Sequence, residues 1–408
     1  MKHVFDDLGV QYTLKDSLKL LINWISPKSD AQIELKNEIE KAFKGEAILV
    51  NKGRDAIELA LRATGVKKGD LVGTQAFSCA AIEEAIVRTG AKPLYIDLDP
   101  ETSTISVKTI EKAIQKSKKP KVMILQHTLG VPGDSEAISD WCVAQKVLLI
   151  EDLAQAVGAV SKTQKPLGFF GKMVILSFGR DKILDGASGG ALVLKSDQQR
   201  QLLDTYLADH PLKTPPWKSE LKETLYPLLT WKIRTFYPIG LGKLLHFLSK
   251  KMNLMTSSTI STTSAAASFQ PQFANLVLKR WKNLDDQLSS RKKIIKIYHK
   301  LLSGKSFIKW EFSNEDLERG SGIRYAVGVE NPAKLIAFMN LNGVHIADRW
   351  YRSAVDCGSG RNCKTTYKSS SCHVAENRAK TVINLPTHRL ITPEIATEIA
   401  KQIIKFYA

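Results

Sequence analysis

Cysteine is scarce: five in 408 residues, at scattered positions. That scarcity argues against a disulfide framework and fits a reducing cytoplasm. The opening stretch, residues 1–8, lacks the apolar run of a secretory leader. Long uninterrupted hydrophobic runs are missing too. The most apolar stretch, 226–248, is broken by Pro227, Pro238, Gly240 and Gly242 and carries Lys232, Arg234 and Lys243, which speaks against a transmembrane helix. Acidic residues are outnumbered 41 to 59, for a net charge of +18. Such a balance suits nucleic acid, anionic lipid or a phosphorylated substrate. No nucleic-acid motif and no basic-aromatic interleaving is present, so no nucleic-acid partner is expected. Cys357, Cys363, Cys372 and His373 match no common zinc spacing, and no metal is expected.

What is present is a repeating alternation. Two amphipathic helices are expected over 16–27 and 31–44. Short apolar runs follow at 47–50, 71–74, 94–97, 122–125, 147–150 and 174–177. Helical patterns near 55–64, 80–89, 107–116 and 134–145 separate them, which implies a mostly parallel sheet covered by helices on both faces. Residues 186–194 supply a further strand. The pattern divides the chain into N-terminal helices (1–45), a large α/β domain (46–204), an apolar and basic insert with a low-complexity loop (205–267), and a smaller α+β domain (268–408). Within the insert, 226–248 reads either as a buried cover or dimer contact, or as an interfacial hairpin touching a membrane. Residues 256–267 read as a loop, 272–298 as one long amphipathic helix, and 393–406 as a closing helix. The Gly/Ser/Lys-rich loop 356–371 is expected over the site.

Chemistry concentrates in two strand ends. Asp152 closes the run from Val147, and Lys182 follows the run Met173–Phe178. Alone, Asp152 reads as a helix cap or a structural acid, and Lys182 as one surface lysine among many. Together they fit a protein that holds pyridoxal phosphate. The lysine forms the Schiff base and acts as general base, and the acid keeps the pyridine nitrogen protonated. Carboxyl ends of buried strands are where open α/β sheets bind ligands.

Several motifs in order, Asn51–Leu61, Gly90–Pro100, Gln126–Asp134, Glu151–Gly158, Ser177–Lys182, Cys372–Glu376 and Ile383–His388, resemble the DegT/DnrJ/StrS-type sugar aminotransferase family. These are pyridoxal-phosphate enzymes of fold type I, and the resemblance covers most of the chain. It implies an amino donor such as glutamate, a nucleotide-linked keto sugar as acceptor in polysaccharide biosynthesis, and a homodimer with shared sites. It implies that the strand in 186–194 runs antiparallel. It also implies that Gln155 lies near the ring hydroxyl and that Ser177 donates to the cofactor phosphate. That phosphate would rest on the helix start after Lys52, where Gly53 permits close approach and free N–H groups meet the dianion.

The chain departs from the family pattern at four places. Arg54 stands where a threonine is usual. Cys79 stands where a ring would stack on the cofactor, with Phe77 nearby. Arg180 and Asp181 replace Pro-Thr before the lysine. The Asn/Arg segment that reaches a neighbour's phosphate has no counterpart in 262–267; Thr263 or Ser264 would have to donate instead. His127 and His388 read as family histidines or as structural ones. Two other readings remain open. One is a sugar dehydration, which Lys182 disfavours because family dehydratases carry histidine there. The other is a membrane-surface binding protein that keeps the fold without turnover.

Overall fold

A computed structural model describes residues 3–27, 30–252, 254–255, 265–347, 349–358 and 364–408. The chain opens with a short strand, β1 (Val4–Phe5), then helices α1 (Leu14–Ile25) and α2 (Asp30–Phe43). Thr13 and Asp16 form a capping box that starts α1. The alternating region follows: β2 (Glu46–Val50), α3 (Gly53–Ala63), β3 (Leu71–Gln75), β4 (Ser78–Cys79), α4 (Ala80–Arg88), β5 (Lys92–Ile96), α5 (Val107–Gln115), β6 (Val122–Gln126), α6 (Ser135–Ala144), β7 (Leu148–Asp152), β8 (Met173–Ser177) and β9 (Gly190–Leu194).

Seven of these strands form one sheet in the order β2-β9-β8-β7-β6-β3-β5. Only β9 runs against the rest, pairing antiparallel with both β2 and β8. The central strands β6, β8 and β9 are buried at every residue. That explains their unbroken apolar sequences, since helices cover both faces of the sheet. The edge strand β5 begins with Lys92 and Pro93, a charge and a missing donor that discourage further pairing.

The insert is helical: α7 (Asp197–Asp209), α8 (Trp217–Thr235) and α9 (Leu241–Lys251). Because α7 runs from 197 to 209, the expected boundary at 204/205 falls inside a helix. The stretch 226–248 is a helical hairpin whose turn holds Gly240 at φ +80°. Its inner side is a cover. Tyr226, Thr230 and Ile233 of α8 are buried, and α8 packs on α1. A Cβ on Gly242 would meet the backbone of Ile233 and Tyr237, so glycine lets α9 cross close to the end of α8. The low-complexity stretch at 256–264, with Thr263 and Ser264, lies outside the described residues.

The long helix expected over 272–298 is instead two helices, α10 (Ala274–Lys282) and α11 (Leu284–Leu302). Asn283 breaks it at φ −108°, ψ 23°, and its side chain donates to Lys279 O at 2.7 Å. Asp285 and Asp286 then begin α11 at the end of the helix that favours acids. The rest comprises β10 (Ile308–Glu311), α12 (Asn314–Arg319), β11 (Arg324–Val329), α13 (Pro332–Leu341), β12 (Val344–His345), β13 (Val355–Asp356), α14 (His373–Thr381), β14 (Val382–Pro386) and α15 (Pro393–Tyr407). β10, β11 and β14 make a small antiparallel sheet. Two short parallel pairings tie distant parts together: β1 with β12, and β4 with β13.

Candidate active site

The carboxyl ends of β6, β7 and β8 deliver Gln126, Asp152 and Ser177 to one rim of the sheet. A cavity of about 140 Å³ sits there. Gly53, Arg54, Cys79, Asp152, Gln155, Ser177 and Lys182 all line it, so the seven candidates from the sequence converge on one place.

Lys182 follows β8 in a loop where Asp181 takes φ +63°. Its Nζ lies 5.4 Å from the centre of the Trp350 ring. Desolvation lowers its pKa below the ordinary lysine range, against the opposing charges of Cys79 and Asp152. That shift favours a neutral, nucleophilic amine. Asp152 accepts from the Ala154 N–H at 2.9 Å. Burial raises its pKa, while Ala154 and the nearby Lys182 pull the other way. A cationic ring nitrogen placed against it would favour the ionised form further.

The start of α3 meets the end of β8. Its N-cap, Lys52, makes no side-chain cap bond, and Lys52, Gly53 and Arg54 at this helix start all line the cavity. A Cβ on Gly53 would lie 2.9 Å from Ser177 Cβ and 3.1 Å from its Oγ. Glycine is therefore what lets this helix end come down on the serine. Arg54 is not a free cation at this end: its guanidinium pairs with Glu84.

Gln155 is committed at both ends. Its Oε1 accepts from Leu129 N–H at 2.6 Å and its Nε2 donates to Tyr351 Oη at 2.7 Å. The Tyr351 hydroxyl, also on the cavity wall, thus stands where the sequence suggested only the glutamine. Cys79 caps α4, its sulfur accepting from Ala81 N–H at 3.5 Å, and burial raises its thiol pKa. Phe77 cannot take the ring-stacking place. It is 1% exposed and packs edge-on against Trp310 and Tyr351.

His127 lines the cavity, yet its imidazole is also held from behind. Its Nδ1 accepts from Gly133 N–H at 3.3 Å, and its Nε2 lies 3.7 Å from the Glu151 carboxylate. His388 bonds Phe5 O at 2.8 Å through Nε2 and lines neither this cavity nor its neighbour. Arg180 and Asp181 precede the lysine, and the Arg180 charge opposes the burial that raises the Asp181 carboxyl pKa. Arg180 donates to Glu223 at 3.0 Å and stacks 3.6 Å from the Tyr226 ring centre. Lys52 meets the other oxygen of the same Glu223 at 2.8 Å. Burial alone would raise the Glu223 carboxyl; Arg180 and Lys52 outweigh it and hold the pKa low.

A larger cavity of about 1040 Å³ adjoins the first and shares Cys79, Gln155, Arg180, Lys182 and Tyr351 with it. Its walls come from both ends of the chain, including Asp6 and Asp7, Tyr237, Lys243 and His246 of the hairpin, and Arg324, Arg349 and Trp350. Of the described cysteines, Cys79, Cys142 and Cys372 are free and Cys357 is disulfide-bonded. Sequence reading missed Glu223, Tyr351 and Trp350. No local pattern marks Glu223 in α8.

The donor set fits pyridoxal phosphate: an amine with a lowered pKa, a buried carboxylate, and a glycine-floored helix start beside a serine hydroxyl. Comparison with known proteins agrees. The pattern of the DegT/DnrJ/EryC1/StrS aminotransferases matches residues 32–226 and 255–404, skipping most of the hairpin. GDP-perosamine synthase of Vibrio cholerae is 30% identical over 43% of this chain and 47% of its own length. UDP-N-acetyl-3-dehydro-alpha-D-glucosamine 3-aminotransferase of Acidithiobacillus ferrooxidans is 35% identical over 36% of this chain and 39% of its own. The chain thus spans about half the length, or less, of the curated relatives it matches. DesV of S. venezuelae, solved with a ketimine intermediate, superposes with a TM-score of 0.73 over 100% of this chain and 99% of that one, at 19% identity, a likeness of fold. With nearly the whole chain from 32 to 404 accounted for on either side of the hairpin, the protein belongs to the DegT/DnrJ/EryC1/StrS aminotransferase family, a pyridoxal-phosphate-dependent family.

Proposed function

We propose that this chain is an aminotransferase that takes an amino group from an amino acid such as glutamate and delivers it to the keto group of a nucleotide-linked sugar. The observation that carries the reading is the convergence of Lys182, Asp152 and the Gly53–Ser177 cradle on one cavity that opens into a larger one. Pyridoxal phosphate would supply an electron sink and carry the amino group between the two substrates. The residues do the rest. Gly53, the first N–H groups of α3 and Ser177 hold the phosphate. Asp152 would keep the ring nitrogen charged, and Gln155, hydrogen-bonded to Tyr351, would lie near the ring hydroxyl. The Lys182 amine moves a proton to and from the substrate carbon, a task its lowered pKa suits. The larger cavity receives the sugar, with Arg324 and Arg349 offering cations to its phosphates.

The names of the curated relatives, several of which act on GDP-, UDP- or dTDP-linked sugars, support the acceptor class. A homodimer in the cytoplasm, as the resemblance implies, completes the reading. The test is an absorbance spectrum of the protein with added pyridoxal phosphate, beside Lys182→Ala, before and after glutamate. A visible band that appears only with Lys182 and moves to the near ultraviolet with glutamate supports the reading. No band in the wild-type protein would refute it and favour a fold retained for binding alone. A band that glutamate leaves unchanged would refute the glutamate donor.

A further inference from the structure

Most of the hairpin lies in the internal gap of the family pattern: the match stops at 226 and resumes at 255. Helix α9 within it presents three faces. Gly242, Leu245 and Ser249 turn inward toward α8 and the N-terminal segment. Lys243, His246 and Lys250 border the larger cavity. The remaining face is apolar and open to solvent: Leu241 (46% exposed), Leu244 (53%), Phe247 (63%) and Leu248 (40%), continued by Ile239 in the turn and Met252 beyond the helix. A soluble protein seldom leaves so many large apolar side chains together in water.

Charge decides what covers this face. Between Glu223 and Asp285 the sequence holds no Asp or Glu, while the hairpin carries Lys232, Lys243, Lys250 and Lys251; Arg234 is turned inward, donating to Leu8 O and Tyr12 O. A two-fold contact between identical faces would set these cations against themselves. An anionic bilayer meets both demands, taking the apolar side chains below its headgroups and the lysines at them. We propose that α9 docks this protein on an anionic membrane surface, apolar face down, with the mouth of the larger cavity held at headgroup level. The inference stands apart from the proposed transamination, since it rests on the hairpin alone.

The test is co-sedimentation of the full chain with vesicles of phosphatidylcholine, with and without phosphatidylglycerol, at low and high salt. The wild-type protein is expected to sediment with the phosphatidylglycerol vesicles, to remain in solution with phosphatidylcholine alone, and to release as salt rises. The double substitution Leu244→Glu, Phe247→Glu is expected to lower the partition coefficient by about tenfold or more. Lys251→Glu is expected to lower it by several-fold. None of these three side chains lines either cavity, so absorbance of the bound cofactor and circular dichroism should stay as in the wild type, which shows that the variants fold. Wild-type protein that stays in solution with anionic vesicles overturns the proposal. So does a double variant that still sediments, or one that turns a larger assembly into a smaller one without altering sedimentation, which would assign the face to a second copy of the chain.

Discussion

Replacing Gly53 with alanine isolates the phosphate cradle from the rest of the fold. The new methyl would lie 2.9 Å from Ser177 Cβ and 3.1 Å from Ser177 Oγ, where carbon atoms settle at about 3.5–4.0 Å. The start of α3 must therefore retreat from the end of β8 by about 0.5–1 Å. Crowding of this kind costs about 1–3 kcal/mol, and alanine returns up to about 1 kcal/mol through its better helix propensity. The net loss in stability is then about 3 kcal/mol or less. The anion site suffers differently. A hydrogen bond to a charged group contributes about 1.5–3 kcal/mol, and a displaced helix end forfeits about one. Pyridoxal phosphate should bind about 10- to 100-fold more weakly, read by titrating the visible band or the quenching of protein fluorescence. Gly179→Ala is the internal control, because its Cβ would sit at an ordinary 3.5 Å from Ser177 Oγ and should leave affinity within about twofold of wild type. Unchanged affinity in Gly53→Ala, with a folded protein, would show that the phosphate rests elsewhere.

Other perturbations test other parts of the site. Glu223→Gln leaves Lys52 and Arg180 without the buried carboxylate they share, which should lower unfolding free energy by about 3 kcal/mol. Because those cations lie on the cofactor cavity wall, inorganic phosphate should restore more melting temperature in the variant than in wild type; equal rescue would separate them from the anion site. Tyr351→Phe removes the partner of Gln155 Nε2 and should cost about 1–2 kcal/mol. It should also shift the pH at which the bound cofactor's visible band titrates, and an unmoved pH profile would make Tyr351 a wall residue only. Asp185 is buried, and burial, with the charge of Asp181 next, raises its carboxyl pKa to about 6. The folded protein thus holds its proton between about pH 4 and 6 while the unfolded chain releases it, so stability from this group falls as pH rises through that window, by up to about 3 kcal/mol. Asp185→Asn should flatten that part of the stability profile, and a slope equal to wild type would contradict the assignment.

The central sheet was legible because its chemistry is local. Runs such as Val122–Gln126 and Met173–Ser177 are apolar throughout, as strands covered on both sides must be. Asp152 could be found because it closes such a run, whereas Ser177 came from the family resemblance. Asn283 was legible in principle: an asparagine followed by two acids ends one helix and starts another, but the amphipathic pattern runs through it and hides the break. Glu223 and Tyr351 were not legible. Each reaches the cavity across the fold, one from a helix in the insert and one from a loop near the far end of the sequence. Nothing in the residues beside them records that encounter.

The pairing of β1 with β12 has a consequence in time. Val4 meets Val344, Asp6 accepts from the Ala347 N–H, and the same opening segment walls the larger cavity. A ribosome adding about 5–20 residues per second delivers the second partner roughly 20–70 s after the first. In the later part of that interval the β7 and β8 strand ends that carry Asp152 and Ser177 have been made, but the chamber beside them has no closing wall. The larger cavity is therefore walled last, and a chain released early would lack both that wall and the Tyr351 partner of Gln155.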